Sequence, residues 1–278
     1  MTVWLENKAE YLRKRIIKVC ALSGAGHITS SLSVLDILVS LYLGNILRYS
    51  KNDPKLENRD RLILSKGHAT LALYNVLSEA GFFKKKEVDT FCQKGTKFGG
   101  LTTTHVPGVE CYTGSLGHGL SFAVGTALAA RLKNSDYLTF VITGDGELQE
   151  GSIWEAAMSI SQFNLNNLIW IIDKNNIQLS GKVSKIINVE PLEAKLQSFG
   201  FDTVSIDGHD YKSLMKALAV DRNNLPDKPL AIIANTLKGK GIPLVENQLG
   251  WHGRKPSVEE MKIIMEQLNI TPEEFDKL

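Results

Sequence analysis

Cysteine is scarce: the 278 residues hold three (Cys20, Cys92, Cys111), an odd number, far apart and without a CxxC pair. That excludes a disulfide framework and a thiolate zinc site, and it fits the reducing cytoplasm. Charge of one sign is lacking as well, since 32 basic against 30 acidic side chains leave +2. Nucleic-acid binding usually shows as a basic excess, so nucleic acid is not the expected partner. The one short basic run, Lys84-Lys85-Lys86, reads as a solvated helix end. No stretch approaches the roughly 18 uncharged apolar residues of a membrane span. The N-terminus, MTVWLENKAEYLRKRIIKV, interleaves charges with its apolar positions, unlike a signal peptide. Repeats, low-complexity tracts and Pro-, Gly- or Ser-rich linkers are also missing. What remains is 43% hydrophobic and 22% charged, too apolar and too nearly neutral for disorder. A cytoplasmic α/β enzyme is the class expected.

The apolar pattern alternates between helix and strand. Residues 3–22 place Leu5, Leu12, Ile16 and Val19 at helical intervals, and Ser23-Gly24-Ala25-Gly26 stops them. Ser33 reads as the N-cap of a second helix running to about Leu43. Short apolar strands are expected at 61–64, 137–143, 168–173, 202–206 and 229–236. Helices are expected at 69–80, 120–132, 150–162, 191–199 and 211–220, with a polar helical tail over 254–278. Continuous apolar strands separated by helices require a parallel sheet covered on both faces. The fold expected is therefore α/β, a single domain over 1–253 followed by the short tail.

Chemistry concentrates at the predicted strand ends. GDG (144–146) closes one strand and Asn175 follows the next, 30 positions after Asp145. In open α/β sheets, ligands bind outside the carboxyl ends of the strands. A carboxylate and an amide oxygen converging there suit Mg²⁺, which takes hard oxygens and leaves positions for phosphates. A GDG alone is an ordinary turn; its pairing with Asn175 is what marks a metal site. TGSLGHG (113–119) opens a helix, and such a terminus presents backbone N–H groups to an anion. His27, His68 and His252 each stand in a Gly-containing loop at an element boundary. Imidazoles exchange protons near neutral pH, so converging loop histidines suit proton transfer to substrate hydroxyls. His209, in DGHD, reads as turn and cap chemistry.

Taken together, these segments resemble the N-terminal half of transketolase. GHITSSLSVLDIL (26–38), DRLILSKGHA (60–69), PGVECYTGSLGHGLSFAVG (107–125), GDGELQEGSIWEAA (144–157) and TLKGKGI…GWHG (236–253) occur in transketolase order. GDG…Asn is the motif by which thiamine-diphosphate enzymes bind the metal and the diphosphate. The resemblance implies thiamine diphosphate and Mg²⁺ (or Ca²⁺ or Mn²⁺) as cofactors, with Asp145, Asn175 and the carbonyl of Ile177 as metal ligands. It implies that Gly144, Gly146, Glu147, Glu150 and Asn175 belong to the diphosphate loops. His68 and Gly114-Ser115-Leu116-Gly117 would touch the cofactor, while His27 and His252 would shuttle substrate protons.

Two departures shape the expectation. Transketolases are more than twice this length, and their second half carries the pyrimidine-binding domain with its activating glutamate. The sequence therefore resembles the N-terminal subunit of a split transketolase, active in a heterotetramer with a C-terminal-type partner subunit. LSFAVGTALAA (120–130) and the region of Ile153-Trp154 are the expected contact face. Transketolases also carry a Gly-His-Pro segment upstream of PGVE. Here the stretch runs Gly99-Gly100-Leu101-Thr102-Thr103-Thr104-His105-Val106-Pro107, and His105 is the candidate to replace that histidine. The implied activity is ketol transfer between a ketose and an aldose, on common or specialised sugar substrates. Two other readings share the metal motif: the alpha chain of a 2-oxo acid dehydrogenase, and a noncatalytic cofactor-binding homologue.

Overall fold

The computed structural model describes all 278 residues. Helices α1 (Thr2–Ser23) and α2 (Ile28–Leu43) open the chain, and α1 ends where Gly24 adopts a left-handed φ of 62°. Strand β1 (Arg61–Leu64) runs through a 3-10 turn, Gly67–Ala69, into α3 (Thr70–Glu79). After the short α4 (Lys85–Val88) come α5 (His118–Leu132), β2 (Thr139–Gly144) and α6 (Gly151–Gln162). Strand β3 (Leu168–Lys174) leads into a small hairpin of β4 (Ile177–Gln178) and β5 (Gly181–Lys182). The chain continues through α7 (Val183–Ile186), α8 (Leu192–Ser198), β6 (Asp202–Asp207), α9 (Tyr211–Leu218) and β7 (Leu230–Asn235). Helices α10 (Val258–Gln267) and α11 (Pro272–Lys277) close it.

Five strands form one parallel sheet in the order β1-β2-β3-β7-β6, which brings the carboxyl ends of β1, β2, β3 and β7 side by side. The strand side chains alternate between two separate cores. In β3, Ile169 and Ile171 face a core built with α1, α2, α3 and α9. Trp170 and Ile172 face a second core built with α5, α6 and α8. Burial on both faces is why these strands read as unbroken apolar runs. Ile264, Leu268, Ile270 and Leu278 of the C-terminal helical segment join the first core, and the Arg15 guanidinium donates to the Leu278 carbonyl at 2.7 Å.

The expected elements appear within a few residues, with two differences that bear on the site. His27, not Ser33, occupies the N-cap of α2. Ser33 lies in the second turn, fully buried, and donates to Asp173 Oδ2 at 2.7 Å. The helix starts earlier because Ile28 and Leu32 pack their apolar side chains into the core. Helix α5 begins at His118 rather than Leu120, since Gly117 with φ 85° turns the chain directly into it. The hairpin of β4 and β5 is too short to leave a periodic signal. Ile171 is fully buried in the central strand, so Ile171→Ala is expected to cost about 2–5 kcal/mol, read from urea unfolding.

Candidate active site

A cleft of about 270 Å³ opens at the carboxyl ends of the strands, where an open α/β sheet places its ligands. Lys66 and His68 reach it from the end of β1, Gly144 to Glu150 from the end of β2, and Asn175 with Ile177 from the end of β3. Gln178 and Leu179 enter from the hairpin, and Lys238 and His252 from the segment after β7. Leu116 covers one side.

The floor is a buried ionic network. Asp173, fully buried, takes the Lys66 ammonium at 2.5 Å and the Ser33 hydroxyl at 2.7 Å. The Thr236 hydroxyl donates to its other oxygen. Burial alone would raise the Asp173 pKa, but Lys66 and these hydrogen bonds hold it below the usual carboxylate value. Asp145, 3% exposed, accepts from the Gly146 amide at 3.0 Å and the Asn176 amide at 2.6 Å. Burial, then the neighbouring Asp173, pushes its carboxyl up to about 6. The Asn175 side-chain oxygen accepts from the Ile177 amide at 3.2 Å. Lys238 donates to the Ile177 carbonyl at 2.9 Å and lies within hydrogen-bond distance of His252 Nδ1, at 2.8 Å. Its pKa falls to about 7, chiefly through burial and then through Lys66.

Above the floor stand three imidazoles. The ring centres of His27 and His68 lie 5.0 Å apart, those of His27 and His252 5.3 Å, and those of His68 and His252 5.0 Å. Burial first, then the lysine charges and, for His68 and His252, a neighbouring ring, lowers all three pKa values, that of His252 to about 3. Near neutral pH the trio is uncharged, each ring holding one N–H donor and one lone pair. The packing is close enough to demand glycine at position 67 and to be tight at position 253. A Cβ on Gly67 would stand 2.1 Å from the Thr113 carbonyl oxygen, and one on Gly253 would stand 3.3 Å from His27 Nε2.

Glu147 fastens two cofactor-type loops to each other. One carboxylate oxygen accepts from the Ser65 hydroxyl and, at 2.8 Å, from the Gly117 amide; the other takes the Gly144 amide at 3.0 Å. Both oxygens are thus committed within the protein, and burial raises the pKa. Gly114, Ser115 and Leu116 remain exposed beside the cleft, and exposed Glu150 lines it. His105 does not join the other histidines: it sits on an exposed loop with its ring 6.3 Å from that of Tyr112. Lys66 and Lys238 are the charged groups that sequence reasoning passed over. Both lie inside recognisable motifs, SKGH and TLKGKG, but a pattern does not show that a lysine is 2% exposed, as these two are.

The chain matches the family described as "Transketolase, thiamine diphosphate binding domain" over residues 6–276. This chain belongs to the transketolase family. It is 38% identical to an apulose-4-phosphate transketolase subunit of Phocaeicola vulgatus, across 98% of this chain and 96% of that one. The subunit of the same name from Actinobacillus succinogenes is 42% identical, across 95% of both chains. A 6-deoxy-6-sulfo-D-fructose transketolase subunit from a Clostridium species is 37% identical, across 95% of this chain and 96% of that one. Among solved structures, Campylobacter jejuni transketolase superposes with a TM-score of 0.88 at 33% identity, covering 96% of this chain but 43% of that one. The transketolase-family chain here thus matches separate transketolase subunits along nearly their whole length, and less than half of that longer transketolase.

In this transketolase-type cleft, Glu147→Ala would leave the Ser65, Gly117 and Gly144 donors unpaired. The expected cost is on the order of 3 kcal/mol, given about 1–3 kcal/mol for each buried polar group left unmatched. Urea unfolding measures it, and amide exchange at Gly117 and Gly144 should rise in parallel.

Proposed function

We propose that this chain is the cofactor-binding subunit of a cytoplasmic two-subunit transketolase. It would transfer a two-carbon ketol unit from a ketose to an aldose with thiamine diphosphate and Mg²⁺. The observation that carries the reading is the trio of neutral imidazoles above a floor containing two buried lysines and three hard oxygen donors. Decarboxylation of a 2-oxo acid has no substrate hydroxyls for such a trio to serve, which disfavours the dehydrogenase alternative.

The residues present fit both groups. Asp145, Asn175 and Ile177 offer a carboxylate, an amide oxygen and a backbone carbonyl, a donor set suited to Mg²⁺. The Ile177 carbonyl accepts from Lys238 at 2.9 Å, a contact that a bound metal would have to share or replace. Burial and the neighbouring Asp173 raise the Asp145 carboxyl, and a divalent cation would offset both. Lys66 and Lys238 would balance a diphosphate beside it. When bound, thiamine diphosphate supplies the nucleophilic carbon and the electron sink for cleaving and remaking the bond next to a ketose carbonyl. The chain's own residues bind, orient and move protons. Each uncharged imidazole, His27, His68 and His252, has one N–H and one lone pair with which to donate, accept or relay a hydroxyl proton.

The relatives named as transketolase subunits support a partner chain; that the partner carries the pyrimidine-binding half, in an assembly of two copies of each chain, is part of the proposal. Leu116 and Leu179, 36% and 69% exposed at the cleft, and Phe122 at 49% on α5 suit its docking. The face is narrower than the sequence suggests. Leu120, Ala123, Ala127 and Ala130 are fully buried within this chain, as is Ile153, and the Trp154 indole donates to the Leu148 carbonyl at 2.9 Å. The relatives' names point to an anionic sugar derivative as the substrate class.

Ketol transfer should appear only when the chain is mixed with its partner, and pyruvate should not substitute for the ketose. Light scattering should show the larger assembly; a monomer that turns over ketose unaided would refute the reading. In the assembled enzyme, Asp145→Ala should abolish Mg²⁺-dependent thiamine-diphosphate binding by calorimetry, and unchanged affinity would sink the metal assignment. His27→Ala and His252→Ala should each lower kcat by roughly 10²-fold with cofactor affinity retained.

A further inference from the structure

Among the buried polar side chains of helix α2, Thr29, Ser33 and Asp36, each 0–1% exposed, reach out to other segments of the chain. Their spacing puts them on one stripe of the helix; Thr29 and Ser33 grip segments beside the cleft, while Asp36 grips residues outside it. The Thr29 hydroxyl donates to the Trp251 carbonyl at 3.1 Å, next to His252. Ser33 holds Asp173. Asp36 accepts from Arg13 Nη2 at 2.7 and 2.6 Å and from the Tyr211 hydroxyl at 2.8 Å, and it pairs with His209 Nδ1 at 2.7 Å. The far side of the His209 ring is also used: the Leu237 amide lies 2.8 Å from Nε2.

The direction of that last bond fixes the ring. A backbone N–H can only donate, so Nε2 is the lone-pair nitrogen and the proton is on Nδ1, directed at Asp36. Asp36 thereby selects the tautomer that can catch Leu237. The next residue is Lys238, whose ammonium reaches the Ile177 carbonyl and His252. One residue further, the Gly239 amide donates to the Thr29 carbonyl at 3.0 Å. Lys238 therefore projects from a two-point clamp, His209 on one side and α2 on the other.

We propose that His209 is a positioning residue of this site: held by Asp36 in the Nδ1–H tautomer, it clamps Leu237 and so aims Lys238 into the cofactor cleft. It touches neither substrate nor cofactor and acts through the loop. The proposal rests on the reading that Lys238 faces the diphosphate, and its test separates the two.

Two isosteric variants divide the functions of the ring in the full chain. In His209→Gln, the side-chain oxygen reaches the Nε2 position and can still accept from Leu237. In His209→Asn, the shorter amide reaches Asp36 but not Leu237. Amide exchange at 237–239 should rise in the Asn variant and stay near wild type in the Gln variant. Thiamine diphosphate titrated with Mg²⁺ should bind about tenfold more weakly to the Asn variant, a coupling of ordinary size within one network. In a Lys238→Met background the same Asn substitution should have no further effect. Equal behaviour of the Gln and Asn variants, or losses that add in the double mutant, would overturn the proposal. If Lys238→Met binds the cofactor as tightly as wild type, the diphosphate reading of Lys238 falls. The exchange measurement then still decides whether His209 holds the loop.

Discussion

Asp173 is the point at which the site is tied together. Its two oxygens receive Lys66 from the end of β1, Ser33 from α2 and Thr236 from the end of β7, while the residue itself lies at the end of β3. Four elements far apart in sequence thus share one buried carboxylate. Taking such a charge out of water is costly unless it is paired and fully hydrogen-bonded, so the partners are not interchangeable decoration. The network also sets the electrostatics above it. Burial, then Asp173, raises the Asp145 carboxyl, and burial, reinforced by the lysine charges, keeps the three histidines uncharged. Burial and that network together leave neutral proton carriers over a floor of both signs.

Much of this was legible in the sequence, for identifiable reasons. The sheet was readable because strands buried on both faces leave unbroken apolar runs, as in LIWIID, and because helices separate them. Asp145, Asn175, His27, His68 and His252 stood out because each occupies a strand end or a glycine loop, where a side chain is free to face a ligand. The residues that were missed lie under the surface of the same motifs. Asp173 closes an apolar strand segment, and Ser33 has the composition of a helix cap. Only their meeting across 140 positions of chain reveals a shared role. His209 looked like a turn residue because both of its partners, Asp36 and Leu237, are distant, by 173 and 28 positions. His105 shows the converse. Its neighbourhood in the sequence suggested a substrate histidine, yet the loop turns it toward Tyr112 and solvent. Pattern reports the kind of element a residue occupies, and burial and long-range pairing lie beyond it.

The grip of β1's end on the TGSLG segment has a further consequence, for the order in which the molecule assembles. The Thr113 hydroxyl donates to the Leu64 carbonyl, 49 positions away, and Gly67 and Gly119 leave no room for a side chain against Thr113 and Ser65. Neither loop has a reason to hold its shape until the other arrives. Contacts of such sequence separation demand loop closure before they return any stabilisation. The helices of the first core, in contrast, pack α1 on α2 and α2 on α3 between neighbours in the chain. Folding kinetics should therefore split along that line, with the helical layer condensing early and the cleft taking form only as the sheet closes. A chain caught midway would be compact and largely helical, yet without a site to load.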